Sequence, residues 1–154
     1  MRKLRIYIDT SVIGGFFDDE FSIDTEKLFE QIHQGEFQLV ISDLTEKELL
    51  NAPHRVRNLL LDLGIDSELV MVKPESVDLA MAYLKEGVVG PTSLDDCIHI
   101  ATATIHQVDL LVSWNFKHIV NILRIRGYNS INIKNGYSVL EIRSPKDLIN
   151  YEER

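Results

Sequence analysis

The chain has 154 residues, of which 45% are hydrophobic, and both values are typical of one globular domain. Its formal net charge is −8, which argues against a protein that coats nucleic acid through a broad basic surface, although it leaves room for an enzyme that acts on nucleic acid. The single cysteine, Cys97, excludes an intrachain disulfide and a cysteine-rich zinc site and fits a reducing, cytoplasmic setting. The N-terminus shows no signal-peptide pattern, and no apolar run approaches the roughly 20 residues that a membrane span needs.

Strand and helix patterns alternate along the chain. In order, they predict a strand at 4–8, a short helical turn at 11–17, a helix at 24–34, a strand at 37–41, helices at 43–51 and 53–63, a strand at 68–72, helices at 74–85 and 94–106, a strand at 109–112, a helix at 116–126 closed by Gly127, a strand at 131–133, a strand or extended segment at 137–142, and a last turn at Ser144 that leads into a charged tail. Short apolar strands separated by helices favour one parallel sheet buried on both faces. The sequence therefore predicts a single α/β domain over residues 1–154, with its core at about 4–142. It is expected to be a three-layer sandwich around a parallel sheet of about five strands.

The first strand ends in an acid, Asp9, which is followed by Thr10 and Ser11. In open α/β sheets, ligand sites lie beyond the carboxyl ends of the strands. Asp9 is therefore a candidate metal ligand or nucleophile. The alternative is that its carboxylate only caps the next helical turn.

Glu46 and Glu48 lie in the same predicted helix. Successive helical positions turn by about 100°, so these two side chains cannot face one site. Glu48 falls within the apolar arc of the helix and Glu46 outside it. An acid in an apolar arc is costly unless it is paired or bound to a metal, so Glu48 is the candidate. A salt bridge from Glu48 to Arg55 or Arg57 is the alternative.

Asp95 and Asp96 open a helix that is almost wholly apolar after them. One acid in a first turn is explained by the helix dipole, but two are more suggestive of a site. The helical pattern does not choose between them. His99 follows one turn later, either toward the same pocket or as a core histidine bonded to a carbonyl or to Asp95.

The loop after the fourth predicted strand, at 109–112, carries Ser113, Trp114 and Asn115. In a parallel sheet it lies at the same edge as Asp9, where Ser113 and Asn115 supply oxygen ligands or, alternatively, a helix cap. Trp114 is interpreted as a packing anchor, with stacking on a nucleobase as the alternative. Asp9, Glu48, one of the paired aspartates and Asn115 together form an oxygen-rich set, which suits Mg²⁺ or Mn²⁺ better than zinc.

These motifs resemble those of the PIN domain family, and in particular its VapC-like ribonuclease toxins. They are Tyr-Ile-Asp9-Thr-Ser, Ile-Ser-Asp-Leu-Thr-Glu-Lys-Glu48-Leu, Asp96-Cys-Ile-His-Ile-Ala-Thr-Ala and Leu-Val-Ser113-Trp-Asn115-Phe-Lys-His. Each motif alone is weakly specific, whereas their order and spacing are fairly specific. The resemblance covers nearly the whole chain, from Ile6 to about Ile142.

The resemblance implies RNA cleavage that depends on Mg²⁺ or Mn²⁺, with Asp9, Glu48 and Asp96 as the acidic ligands. It thereby selects Asp96 over Asp95, and it matches Thr10 or Ser11 to the family's hydroxyl position. Many members have a fourth acid where this chain has Asn115, whose uncharged amide weakens a second metal site. The family branch with Trp-Asn-Phe-Lys-His also has the histidine of Asp-Cys-Ile-His, which strengthens His99 and His118 as site residues. A small antitoxin that covers the pocket and a homodimer are the implied protein partners.

The leading hypothesis is a metal-dependent endoribonuclease in which basic residues hold the RNA backbone. The candidates for that role are Arg55, Arg57, Lys117 and His118. A catalytically weak or inactive module that binds RNA or protein is the rival, motivated by Asn115 and by the negative charge. A phosphatase with Asp9 as nucleophile is a third hypothesis, and Ser11 in place of a second acid counts against it.

Overall fold

The sheet has five parallel strands in the order β3-β2-β1-β4-β5, which confirms the predicted three-layer α/β architecture. The computed structural model describes residues 2–151, and the side chains of residues 2–149. The strands are β1 (Leu4–Ile8), β2 (Phe37–Ser42), β3 (Ser67–Val70), β4 (Leu110–Val112) and β5 (Glu141–Arg143). The helices are α1 (Thr10–Gly15), α2 (Ser22–His33), α3 (Asp43–Leu49), α4 (His54–Arg57), α5 (Leu59–Asp62), α6 (Pro74–Lys85), α7 (Leu94–Ile105), α8 (Ile122–Lys134) and α9 (Pro145–Tyr151).

The central strand β1 shows how the sheet divides the core. Successive strand residues point to opposite faces, and Ile6 and Ile8 enter one apolar cluster while Tyr7 enters the other. The first cluster packs the sheet against α1, α2 and α9, and the second packs it against α6, α7 and α8. Asp9 keeps an extended backbone, with φ −90° and ψ 178°, so the alternation of the strand places it on the α7 face with Tyr7.

The chain changes direction in the sheet at β1. It builds β2 and β3 on one side of β1 and then returns to place β4 and β5 on the other. Ile8 is in register with Val112, so Asp9 and Ser113 follow at neighbouring strand ends. This is the topological switch point at which open α/β sheets bind ligands.

The predictions for the C-terminal third are partly wrong. Helix α8 begins at Ile122 instead of residue 116, and it runs through Gly127 and through the strand expected at 131–133. Gly127 is needed for close packing, because a Cβ built there would lie 2.8 Å from Val88 Cγ1. The helix begins late because the side chain of Asn121 accepts hydrogen bonds from the backbone N–H groups of the first turn.

The fifth strand is β5, at the end of the segment for which a strand or extended tail was expected. Helix α9 follows it and buries Ile149 against α2, so the packed core continues beyond residue 142. The last three residues of the expected charged tail, 152–154, lie outside the described residues. Over the part of the chain that the structure describes, no helix is long and apolar enough to cross a membrane.

Candidate active site at the ends of β1 and β4

Asp9 lies at the bottom of the site, with only 5% of its surface exposed. Ser11 Oγ donates to one carboxylate oxygen at 2.6 Å, and Ser113 Oγ donates to the other at 2.7 Å. Each hydroxyl oxygen also accepts a backbone N–H, from Trp114 at 3.0 Å and from Asn115 at 2.9 Å. The loop after β4 is thus fastened to the loop after β1, and the carboxylate is held through both oxygens. A carboxylate so engaged and so buried is poorly placed as a nucleophile, which disfavours the phosphatase hypothesis.

Asp96 is brought to the same place by the first turn of α7. It is half-buried while its neighbour Asp95 is exposed, so the structure places Asp96 at the site. The amide nitrogen of Asn115 donates to Asp96 Oδ2 at 3.4 Å. The amide oxygen of Asn115 instead accepts the backbone N–H of His118 at 2.9 Å. Asn115 therefore orients Asp96 and caps the following turn, and its carbonyl oxygen is already used within the protein.

Glu48 reaches the site from α3, whose N-terminus is capped by Ser42. It is half-buried, whereas Glu46 is exposed, as the helical geometry predicts. Thr10 Oγ1 donates to Glu48 Oε1 at 2.5 Å, and His99 Nε2 lies 2.7 Å from the same oxygen. The partner of Glu48 is therefore His99 instead of the arginines considered from the sequence. Arg55 lies with its guanidinium 4.9 Å from the ring centre of Phe17.

Burial and mutual repulsion shape the charges of the site. Burial raises the pKa of Asp9 above its ordinary value, against the opposing charge of His99 and the hydroxyl hydrogen bonds. Burial also raises the pKa of Asp96, and the negative charge of Asp9 raises it further. Burial opposes ionisation of Glu48 too, but hydrogen bonds from His99 and Thr10 outweigh it and lower the pKa of Glu48. A nearby cation would stabilise the ionised forms of these two carboxylates.

The donor set fits a hard divalent ion. All the donors are oxygens, and Mg²⁺ is commonly bound through only one or two carboxylates together with water and phosphate oxygens. Asp9 and Asp96 form such a pair, because the charge of Asp9 contributes to the raised pKa of Asp96. Within the described residues, no group of three or more His, Cys, Asp or Glu side chains is gathered closely enough to hold a metal ion by itself. The residues therefore suit a cation held by the aspartate pair, with Glu48 at its edge.

The remaining predicted residues lie around the site. His118 is half-buried, and it opposes the rise in the pKa of Asp96. Its Nδ1 has no hydrogen-bond partner among the described residues. Lys117 is exposed on the same loop. Trp114 is the packing anchor that the sequence predicts, because it is 7% exposed and stacks on Phe21 with ring centres 4.3 Å apart.

The sequence did not single out Tyr7 or Ser42. The hydroxyl of Tyr7 lies 2.5 Å from His99 Nδ1 and 2.7 Å from Ser42 Oγ. All three side chains are almost completely buried. Burial also raises the pKa of Tyr7, so it remains a neutral phenol. The available signal was the position of Tyr7, two residues before Asp9 and on the same face of β1.

The fold and this cluster define an α/β protein with an acidic site at the switch point of a parallel sheet. The chain belongs to the PIN domain family, whose model matches residues 6–117. The resemblance of its motifs to that family is thereby confirmed. No curated protein matches the sequence.

Solved structures with the same fold include three of low sequence identity. A toxin–antitoxin complex from Klebsiella pneumoniae matches with a TM-score of 0.54 and 20% identity, covering 73% of this chain and 88% of that one. VapBC2 from Rickettsia felis, bound to a DNA fragment from its promoter, matches with a TM-score of 0.55 and 12% identity, covering 92% of this chain and 98% of that one. FitAcB from Neisseria gonorrhoeae matches with a TM-score of 0.57 and 15% identity, covering 91% of this chain and 97% of that one. At these identities the likeness is one of fold.

Proposed function

We propose that this PIN domain is an endoribonuclease that depends on Mg²⁺ or Mn²⁺. The observation that carries the proposal is the pairing of Asp9 with Asp96 at the switch point, where both carboxylates have raised pKa values. Family membership supports a nuclease, since PIN domains are generally hydrolases of this kind. In this scheme Asp9 and Asp96 hold the ion and Glu48 completes its environment.

The other site residues have distinct supporting roles. Ser11 and Ser113 orient Asp9 through the two hydrogen bonds to its carboxylate. Thr10 orients Glu48, and Asn115 orients Asp96. A bound divalent ion would neutralise the carboxylates, bind a phosphate oxygen of the RNA and activate the attacking water.

The RNA strand requires positive charge that the acids do not supply. Lys117 and His118 follow Asn115 directly, so we place the phosphate backbone of the substrate along this loop. Arg55 and Arg57 are exposed, and among the described residues they make no hydrogen bond or salt bridge to the acids, so they belong to an outer binding surface at most.

A matched pair of neighbouring acids tests the proposal. RNA cleavage in Mn²⁺ is expected to fall by at least 100-fold in Asp96→Asn and to remain within about twofold of the wild type in Asp95→Asn. Asp95 is exposed in the same helical turn, so its substitution controls for charge and for helix stability. Equal activity of the Asp96→Asn variant and the wild type would contradict the assignment.

A binding module without catalysis is the second candidate. It is favoured by the carbonyl of Asn115, which accepts the N–H of His118, and by the formal net charge of −8. Calorimetry with Mn²⁺ distinguishes the two. Binding that is lost in Asp9→Asn and Asp96→Asn supports the enzyme, whereas RNA binding without such metal binding supports the module.

We further propose that the chain acts in the cytoplasm as the toxin of a toxin–antitoxin pair, in complex with a small antitoxin and as a homodimer. The likeness of its fold to a chain of a toxin–antitoxin complex supports the toxin and antitoxin parts of this proposal. Induced expression in bacterial cells is expected to slow growth, and expression of Asp9→Asn is not. Equal growth in both cultures would contradict the toxin assignment without affecting the nuclease assignment.

A further inference from the structure

We propose that His99 and Tyr7 are positioning residues for Glu48, acting through a buried hydrogen-bonded chain from Ser42 through Tyr7 and His99 to the carboxylate. The chain would hold one oxygen of Glu48 against the protein and leave the other for the divalent ion. This inference rests on the proposed function, because it assigns the hydrogen-bonded chain a role in metal binding.

The contacts fix the direction of the bond to Glu48. A carboxylate only accepts, so His99 Nε2 must carry the hydrogen that it shares with Glu48 Oε1 at 2.7 Å. On the other side of the ring, His99 Nδ1 and the Tyr7 hydroxyl share a hydrogen bond of 2.5 Å. The Tyr7 hydroxyl shares a second hydrogen bond, of 2.7 Å, with Ser42 Oγ. A partner at the second ring nitrogen is what sets the tautomer of a histidine.

Both donors to Glu48 converge on one oxygen. Thr10 and His99 each bond to Oε1, and Oε2 makes no hydrogen bond to the described residues. A side chain held through one oxygen presents the other in a fixed direction. The Glu48 side chain is 29% exposed, so an ion can reach it.

The hydrogen-bonded side chains lie where water cannot take their place. Tyr7 and Ser42 are fully buried, and His99 is 2% exposed. The Tyr7 and His99 rings meet edge to face, with centres 5.6 Å apart. Removal of the Tyr7 hydroxyl would leave a buried ring nitrogen without a partner and loosen the ring that holds Glu48.

The molecule offers a control for burial alone. Tyr83 is also fully buried in the same apolar cluster, and its hydroxyl bonds to Asn132 instead of a site residue. Tyr83→Phe therefore removes a buried hydroxyl without touching the chain to Glu48. If the Tyr7 chain only stabilised the core, the two tyrosine variants would behave alike in every measurement.

The test is titration calorimetry with Mn²⁺ in the absence of RNA, together with thermal unfolding in EDTA. Outer partners of metal ligands typically contribute 10- to 100-fold in affinity. We expect the Kd for Mn²⁺ to rise about tenfold in Tyr7→Phe and 10- to 100-fold in His99→Leu. In His99→Gln, whose amide can still donate to Glu48, it should return to within a few-fold of the wild type. Tyr83→Phe should leave the Kd unchanged while lowering the Tm in EDTA about as much as Tyr7→Phe.

Unchanged Mn²⁺ affinity in both Tyr7→Phe and His99→Leu would overturn the inference. If the wild type binds Mn²⁺ and Glu48→Gln weakens that binding, this outcome leaves the proposed function standing. If the wild type itself does not bind Mn²⁺, the metal-dependent function fails and the positioning role fails with it. A Tyr83→Phe variant that weakens Mn²⁺ binding as much as Tyr7→Phe would also overturn the inference, because the effect would then be general to the core.

Discussion

Replacement of Asp9 by asparagine should stabilise the metal-free protein at neutral pH while abolishing its activity. Two effects oppose each other. The amide cannot accept a hydrogen bond through its nitrogen, so one of the two serine hydroxyls must reorient, at a cost of about 1 kcal/mol. Against this, the variant no longer carries a buried charge beside Asp96, and we expect a net gain of about 1–2 kcal/mol, within the range that single stabilising substitutions give. For a chain of this size, that gain raises the Tm by roughly 2–8 °C.

The pH dependence follows from the raised pKa of Asp9. The folded state holds the proton more tightly than the unfolded state does. The stabilisation from this proton is full below the ordinary carboxyl pKa and is lost as the pH rises through the raised value. The wild type should therefore match Asp9→Asn more closely in acid and fall behind it toward neutral pH. The assay is thermal unfolding in EDTA over a series of pH values.

Asp109→Asn is the matched control, because it makes the same chemical change and is expected to have the opposite effect on stability. Hydrogen bonds from Arg2 lower the pKa of Asp109, and the backbone N–H of Arg5 adds to them. This stabilisation is present above the ordinary carboxyl pKa and is lost as the pH falls through the lowered value. Because Arg2 is largely exposed, the variant should lose only about 0.5–1 kcal/mol at neutral pH.

Metal should reverse the order of the wild type and Asp9→Asn. At 100 times its Kd, a bound ion stabilises the wild type by about 2.7 kcal/mol. With saturating Mn²⁺ the wild type should therefore become the more stable protein. If Asp9→Asn is less stable than the wild type in EDTA at every pH, and Mn²⁺ does not change the order of the two, the buried charge of Asp9 does not destabilise the metal-free fold and Asp9 does not hold the ion.

Three further outcomes are expected. Gly15→Ala should destabilise the fold by about 1–3 kcal/mol in urea unfolding, because the added Cβ would lie 2.7 Å from Trp114. Gly14→Ala should not destabilise it, because no atom lies within 4 Å of a Cβ there. Equal stabilities of the two variants would contradict this packing. Burial raises the pKa of Cys97 to about 12, so the native thiol should resist alkylation that is rapid after denaturation, and equal rates would contradict its burial. Phe116 is 48% exposed on the site loop, so Phe116→Leu should weaken binding of single-stranded RNA by several-fold or more in EDTA, and Phe116→Trp should restore it. Unchanged affinity in Phe116→Leu would exclude stacking.

Much of the site was predictable because it depends on local periodicity. The alternation along β1 predicts a strand that ends in Asp9, and the sheet rule then predicts a site at its carboxyl end. Helical geometry separates Glu48 from Glu46, and the structure agrees in the exposure of both residues. The choice of Asp96 over Asp95 came from the family resemblance, and the burial of the two residues supports it.

Other features depend on contacts between distant segments. A glycine at position 127 is typical of a helix end, yet Gly127 lies within α8. Glycine is needed there because Val88 approaches too closely for a side chain. The bond from Tyr7 to His99 joins residues 92 positions apart. Local pattern carries no information about either contact, so the helix end and the buried chain to Glu48 required the structure.

The orientation of Asn115 belongs with these distant effects. From the sequence, its carbonyl was a candidate ligand in place of a fourth acid. In the fold, that oxygen accepts the N–H of His118, and the amide nitrogen faces Asp96. The residue thus supports one acid of the pair instead of adding to the donors, which is consistent with a site that holds a single ion.

The central claim is that the Asp9 pocket uses a divalent ion to cleave RNA. Its most direct test is cleavage of end-labelled single-stranded RNA, with and without Mn²⁺, by the wild type, Asp9→Asn and Asp109→Asn. We expect cleavage only with Mn²⁺, by the wild type and by Asp109→Asn but not by Asp9→Asn. Cleavage by Asp9→Asn at the rate of the wild type, or equal cleavage by the wild type in EDTA, would contradict it.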